Sequence, residues 1–244
     1  MGPLVSALYG VVCYLVFLGA FLYSIGFVGN FLVPKSIDSG PAPALSVALL
    51  VNTTLLGIFA VQHSVMARPT FKRWWVRFVP QPVERSTYVL LSSLILLLLF
   101  WQWRPMPDVI WDVTAPAVRG LLWTLFTTGW LVVLASTFMI NHFDLFGLRQ
   151  VWLHLRARSY TPVHFRMTLL YRLVRHPIML GFLVAFWATA TMTAGHLLFA
   201  LATTGYVLIA LQLEERDLVA HLGESYRDYK RRVPMLLPWP RRRT

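Results

Sequence analysis

The densest concentration of reactive side chains lies in two stretches, YRLVRHPIMLG at 171–181 and EERDLVAHLGESYRDYKRRVPMLLP at 214–238. Arg175 offers a planar fork for a carboxylate or phosphate. Pro177 suits the first turn of a helix, where its missing N–H costs nothing. The N–H groups near Ile178 to Gly181 would then point out of a positive helix end, a place for an anion. Glu214 and Glu215 sit about 100° apart around a helix. They cannot both face one point, so at least one is expected to face a cleft and attract a cation.

A second cluster, NHFDLFGLRQ at 141–150, places an amide, an imidazole, a carboxylate and a guanidinium within ten residues. Asn141 and Asp144 also read as helix-terminating and capping residues. A thinner group, Gln62, His63 and Ser64, follows an apolar run and reads equally as the end of a helix. Histidine boxes of the HxxxH or HxxHH type are absent, which disfavours di-iron chemistry. The single cysteine, Cys13, lies in an apolar run and reads as a packing thiol. No disulfide framework, zinc knuckle or iron–sulfur cluster can be built from it, and no metal is expected.

The elements that must position these groups are membrane helices. Of 244 residues, 57% are hydrophobic and 13% charged, against about 25% charged in soluble domains. A water-surrounded globule is excluded. Six apolar stretches, at about 4–29, 44–66, 86–103, 117–140, 178–193 and 195–213, are long enough or nearly long enough to cross a bilayer as helix. The expected fold is an all-α, polytopic membrane helical bundle with about six hydrophobic spans, the last two a tight hairpin broken near Gly195. The segments TFKRWWVRF at 70–78 and 145–158 read as helices lying in the membrane interface.

Lys and Arg number 22 against 10 Asp and Glu, a net charge of +12. On so apolar a chain this favours anionic lipid headgroups or a phosphate-bearing ligand over nucleic acid. Nineteen of the 22 fall in three segments, 67–85, 141–177 and 214–244. The positive-inside rule then puts these loops, both termini and the reactive clusters on the cytoplasmic side. Without repeats or a long linker, 1–244 reads as one domain, its cofactor-binding part at about 141–238. The hairpin would bring Arg175 and His176 at the start of one helix against Glu214 and Glu215 at the end of the next. An anion corner and a cation corner on one apolar hairpin match a zwitterionic amino acid joined to adenosine. An interfacial salt-bridge network is the plainer alternative.

RHPIMLG followed by the paired glutamates and GESYRDYKRRVPMLLP resembles the C-terminal half of the isoprenylcysteine carboxyl methyltransferases and phospholipid methyltransferases, integral-membrane enzymes that use S-adenosylmethionine. QHSVMARPTFKRWW, PVERSTYVLL, WQWRP and NHFDLFGLRQVW are similar to the narrower group of methanethiol S-methyltransferases and their NnrU-like relatives. The wider family has an aromatic residue where this chain has Met179. The resemblance implies that Arg175, His176, Pro177, Gly181, Glu214 and Glu215 line the cofactor pocket, with Tyr226 and Tyr229 as candidates for closing it.

The implied reaction is transfer of the sulfonium methyl group to a small thiol, methanethiol, giving dimethyl sulfide and S-adenosylhomocysteine. A thiol needs a base or a positive environment to become a good nucleophile. His142 is the candidate base, with Asp144 orienting it and Arg149 or Arg175 favouring the thiolate; His176 is the alternative. Asn141, Gln62 and His63 are assigned to the acceptor side. Three rival readings stay open: a larger lipid or isoprenylcysteine acceptor, an NADPH-dependent membrane reductase with a similar C-terminal hairpin, and a non-enzymatic haem or transport protein using His63 with His142.

Overall fold

A computed structural model of the chain describes residues 1–162 and 168–238. Arg166 and Arg241 to Arg243, counted above among the basic residues, lie outside the described residues. In chain order the elements are α1 (Pro3–Gly29), α2 (Leu45–Ala67), α3 (Pro69–Trp75), α4 (Gln81–Gln102), β1 (Val109–Asp112), α5 (Pro116–Ile140), α6 (His142–Leu145), α7 (Leu148–Leu155), α8 (Leu170–Leu173), α9 (Pro177–Trp187), β2 (Thr191–Thr193), α10 (Ala194–Leu222) and α11 (Glu224–Arg232). Proline stands in the first turn of α1, α3, α4, α5 and α9, where its fixed φ favours helix initiation.

Among the described residues five helices, α1, α2, α4, α5 and α10, are long and apolar enough to cross a membrane. They present large apolar side chains outward, among them Leu4, Leu8, Leu15, Leu50, Leu121 and Ile209. Such surface is stable only in lipid, so the chain is an integral membrane protein. The fifth expected stretch, 178–193, is helical only over Pro177–Trp187, 11 residues. After Trp187 the chain turns into β2, which pairs with β1. The sixth stretch runs past its expected end at 213 and continues as one helix to Leu222. The interfacial helix expected at 145–158 is split into α6 and α7 around Gly147, whose φ is +88°. A Cβ there would lie 2.5 Å from the Ser86 hydroxyl and 2.7 Å from its backbone nitrogen, so backbone conformation and space both demand glycine.

Contacts divide the described chain into two compact units. In the first, which holds 1–108, 141–162 and 193–196, α1 packs on α4 and α7, and α2 packs on α3 and α4. Gly10 of α1 lets α7 approach closely, since a Cβ there would stand 2.6 Å from a Val151 methyl. In the second unit, which holds 109–140, 168–192 and 197–238, α9 lies along α5. The hairpin is present as well: Trp187 Nε1 donates to Thr204 Oγ1 at 3.0 Å, and Phe186 meets Phe199 edge-on.

Candidate active site

In the second unit the RHP segment enters α9 with His176 at the N-cap and Pro177 in the first turn. The C-terminal tail clamps this turn. The backbone N–H of Arg175 donates to Pro234 O at 2.9 Å, and that of His176 to Met235 O at 3.2 Å. From α11, the Tyr229 hydroxyl donates to the Tyr171 carbonyl at 2.6 Å. These bonds satisfy backbone groups that the kinked segment would otherwise bury unpaired.

The two expected poles touch one another. Arg175 Nε donates to Glu215 Oε1 at 2.7 Å, and its Nη1 donates to the Lys230 and Val233 carbonyls. Glu215 also meets Lys230 Nζ at 2.7 Å and His176 Nε2 at 3.1 Å. Arg175 and Glu215 are only 6% and 2% exposed. The guanidinium expected to grip an anion is therefore bound by an internal carboxylate and two carbonyls. Glu214, one residue earlier on α10, reaches the other nitrogen of the same imidazole but is half-exposed, with Oε2 3.9 Å from His176 Nδ1. The pair thus divides into a buried anchor and an outward carboxylate.

Tyr226 is buried beside this network with its ring against Tyr229. Burial, reinforced by the neighbouring Glu215 carboxylate, holds its phenol above the ordinary range. Burial pushes the Tyr229 phenol up to about 12. Both are neutral donors at physiological pH. Gly181 lies in the contact between α9 and α5, where a Cβ would stand 2.6 Å from the Gly129 carbonyl oxygen.

In the first unit, Asn141 caps α6 by accepting the Asp144 backbone N–H at 3.1 Å. His142 is 5% exposed. Its Nε2 lies 2.8 Å from the Tyr14 hydroxyl of α1. Burial lowers the pKa of the imidazole, which is neutral at neutral pH. The carboxylate of Asp144, expected to orient His142, is engaged by Arg149 Nη1 at 2.8 Å and by the Tyr160 hydroxyl at 3.3 Å. Arg149 also donates to the carbonyl and the hydroxyl of Thr161. His63 sits in a polar knot between α2 and α4, where the Tyr88 hydroxyl is 3.0 Å from its ring nitrogens and the Ser92 hydroxyl 3.3 Å from Nδ1. Gln62 Oε1 accepts from Ser92 at 3.3 Å. Among the described residues no group of three His, Cys, Asp or Glu could hold a metal ion.

Two contributors went unread in the sequence. In the sequence Lys230 is one basic residue of the 214–244 segment, and nothing in its DYKRR setting marks it as the partner of a glutamate 15 residues earlier. Tyr14 looked like any aromatic of a membrane span. Its hydroxyl in an otherwise apolar run was the available signal.

The NnrU protein family model matches residues 51–230. A methanethiol S-methyltransferase of Mycobacterium tuberculosis is 65% identical, over 98% of this chain and 98% of that protein. One of Pseudomonas sp. is 52% identical, over 97% and 91%. Nurim of Bos taurus is 31% identical, over 72% and 70%. No solved structure matches. With the family matched over residues 51–230 and a relative matched over nearly the whole of both chains, the chain belongs to the NnrU family, in the group that contains those methanethiol S-methyltransferases.

Proposed function

We propose that the protein is a membrane-embedded thiol S-methyltransferase that converts methanethiol to dimethyl sulfide, with S-adenosylmethionine as methyl donor. The observation that carries this reading is the near-full-length identity to proteins bearing that name, set beside the Arg175–Glu215–His176–Lys230 network of the second unit. When bound, S-adenosylmethionine supplies an already activated methyl group, so the chain has only to bind, align and keep water out.

The residues of the second unit fit such a donor. Glu214 presents a carboxylate suited to an ammonium or to ribose hydroxyls. The buried Glu215 network fixes the end of α10 from which Glu214 projects, and Tyr226 adds a neutral wall. His142 takes the thiol proton, since its burial keeps it unprotonated and ready to accept one. Purified protein supplied with both substrates should form dimethyl sulfide and S-adenosylhomocysteine in equal amounts. No product with methanethiol, or product only with a lipid thiol, would refute the assignment.

Two further expectations arise from the same reading. Glu214→Gln should weaken S-adenosylmethionine binding by about tenfold, the size of one charge-assisted hydrogen bond, without moving the unfolding temperature. Calorimetric titration beside a thermal scan checks both, and unchanged affinity would take Glu214 out of the pocket. The basic-loop count puts both termini in the cytoplasm. A fluorescent-protein fusion at either end should therefore glow, while an alkaline phosphatase fusion at the same site stays inactive. The reverse pattern would invert the topology.

A further inference from the structure

The imidazole of His142 is held edge-on by three rings. Tyr14 lies at 5.7 Å and 80°, Phe143 at 5.4 Å and 85°, and Phe146 at 4.8 Å and 61°. Phe146 in turn stacks on Phe17 of α1 at 3.8 Å. Only Tyr14 among these rings carries a polar group, and its hydroxyl is 2.8 Å from Nε2, across 128 residues of sequence. The position of that hydroxyl is set by helix packing, because Gly10, one turn earlier on α1, is seated against Val151 of α7.

Resting on the reading of His142 as the proton acceptor, we propose that Tyr14 is a positioning residue for it. Its oxygen accepts a hydrogen bond from Nε2–H, which fixes the neutral ring in the tautomer whose lone pair lies on Nδ1. Proton transfer then balances simply: the thiol S–H bond breaks, its electron pair stays on sulfur, and a new N–H bond forms at Nδ1. The ring becomes an imidazolium, and the Nε2–H bond to Tyr14 becomes charge-assisted and stronger. Tyr14 thus stabilises the charged product against the cost of its burial. Among the described residues, these charged and titratable groups of the neighbouring elements have partners of their own: Asp144 and Arg149 of α6 and α7 pair together, Tyr160 bonds Asp144, Arg85 of α4 donates to the Leu145 carbonyl, and Tyr9 of α1 bonds Thr87.

Tyr14→Phe keeps the ring and removes the oxygen. A base acts unprotonated, so the acid limb of kcat follows its pKa, and losing a partner of the cation lowers that pKa. In the full-length purified protein kcat should fall on the order of tenfold, with the KM for methanethiol within about twofold and the acid limb about one pH unit lower. A second readout does not depend on turnover. In 15N-histidine-labelled protein, with the His142 signal identified through His142→Gln, the wild type should show the Nε2–H tautomer and Tyr14→Phe a lower titration midpoint. If the wild type makes no dimethyl sulfide, the methyltransferase reading falls while the spectra still judge Tyr14. An unchanged or upward-shifted limb, or an unchanged tautomer and midpoint, overturns the proposal.

Discussion

Glu215→Ala is expected to lower the unfolding temperature by roughly 10 °C and to abolish S-adenosylmethionine binding with it. The carboxylate is 2% exposed and bonded to Arg175, His176 and Lys230. Its removal leaves the Arg175 guanidinium 6% exposed, held by two carbonyls and no carboxylate of this network. Removing one partner of a buried ion pair costs about 3–5 kcal/mol, because the surviving charge stays out of water. For a chain of this length each kcal/mol moves the midpoint by about 2–4 °C. Glu215→Gln retains hydrogen-bonding capacity without the charge and should fall between. Replacing both partners, Arg175→Met with Glu215→Leu, removes the stranded cation and should recover much of the stability while binding stays lost. Thermal unfolding in detergent, followed alongside ligand titration, reads all three. A Glu215→Ala protein that melts with the wild type would show that the network does not hold the helix ends.

The contact of Arg175 and His176 with the paired glutamates was legible because two apolar runs separated by a glycine must return on themselves, bringing the start of one against the end of the other. Which glutamate turns inward was not legible. Neighbours about 100° apart are equivalent until packing chooses, and the choice comes from Lys230 and the tail that folds back through Arg175 N–H to Pro234 O. The apolar spans were readable for the reason that makes them membrane helices, unbroken apolarity. Reading 178–193 as one span missed where α9 stops: residues 188–193, ATATMT, alternate threonine with Ala and Met, a strand-like pattern, and the chain leaves the helix after Trp187 and pairs Thr191–Thr193 with β1. Gly147 carried a signal, a glycine inside 145–158, that the expectation of one continuous helix there passed over. Tyr14 did not, because the value of its hydroxyl depends on a partner 128 residues away.

Gly181→Val should fail to accumulate in the membrane, and Gly181→Ala should lose about 3 kcal/mol, at the upper end of overpacking costs. A Cβ on Gly181 would lie 2.6 Å from Gly129 O, 2.8 Å from a Val133 methyl and 2.9 Å from Val133 N. One on Gly129 would meet Ala185 N and Gly181 O, both at 2.7 Å. Most of these obstacles are backbone, which cannot rotate aside as a side chain can. Between membrane helices there is no hydrophobic drive to bring them together, and close approach through small residues supplies the packing and dispersion that hold them. Gly129 lies outside the residues assigned to the cofactor, so it separates packing from binding. If Gly181 acts through the α5–α9 crossing, Gly129→Ala and Gly181→Ala should destabilise alike, and the double variant should cost less than their sum, because the first side chain has already forced the helices apart. Thermal midpoints of the four proteins close the cycle. If Gly181→Ala instead melts normally and loses only S-adenosylmethionine affinity, its place is in the pocket wall, and the helix crossing tolerates a methyl group that the geometry says it does not.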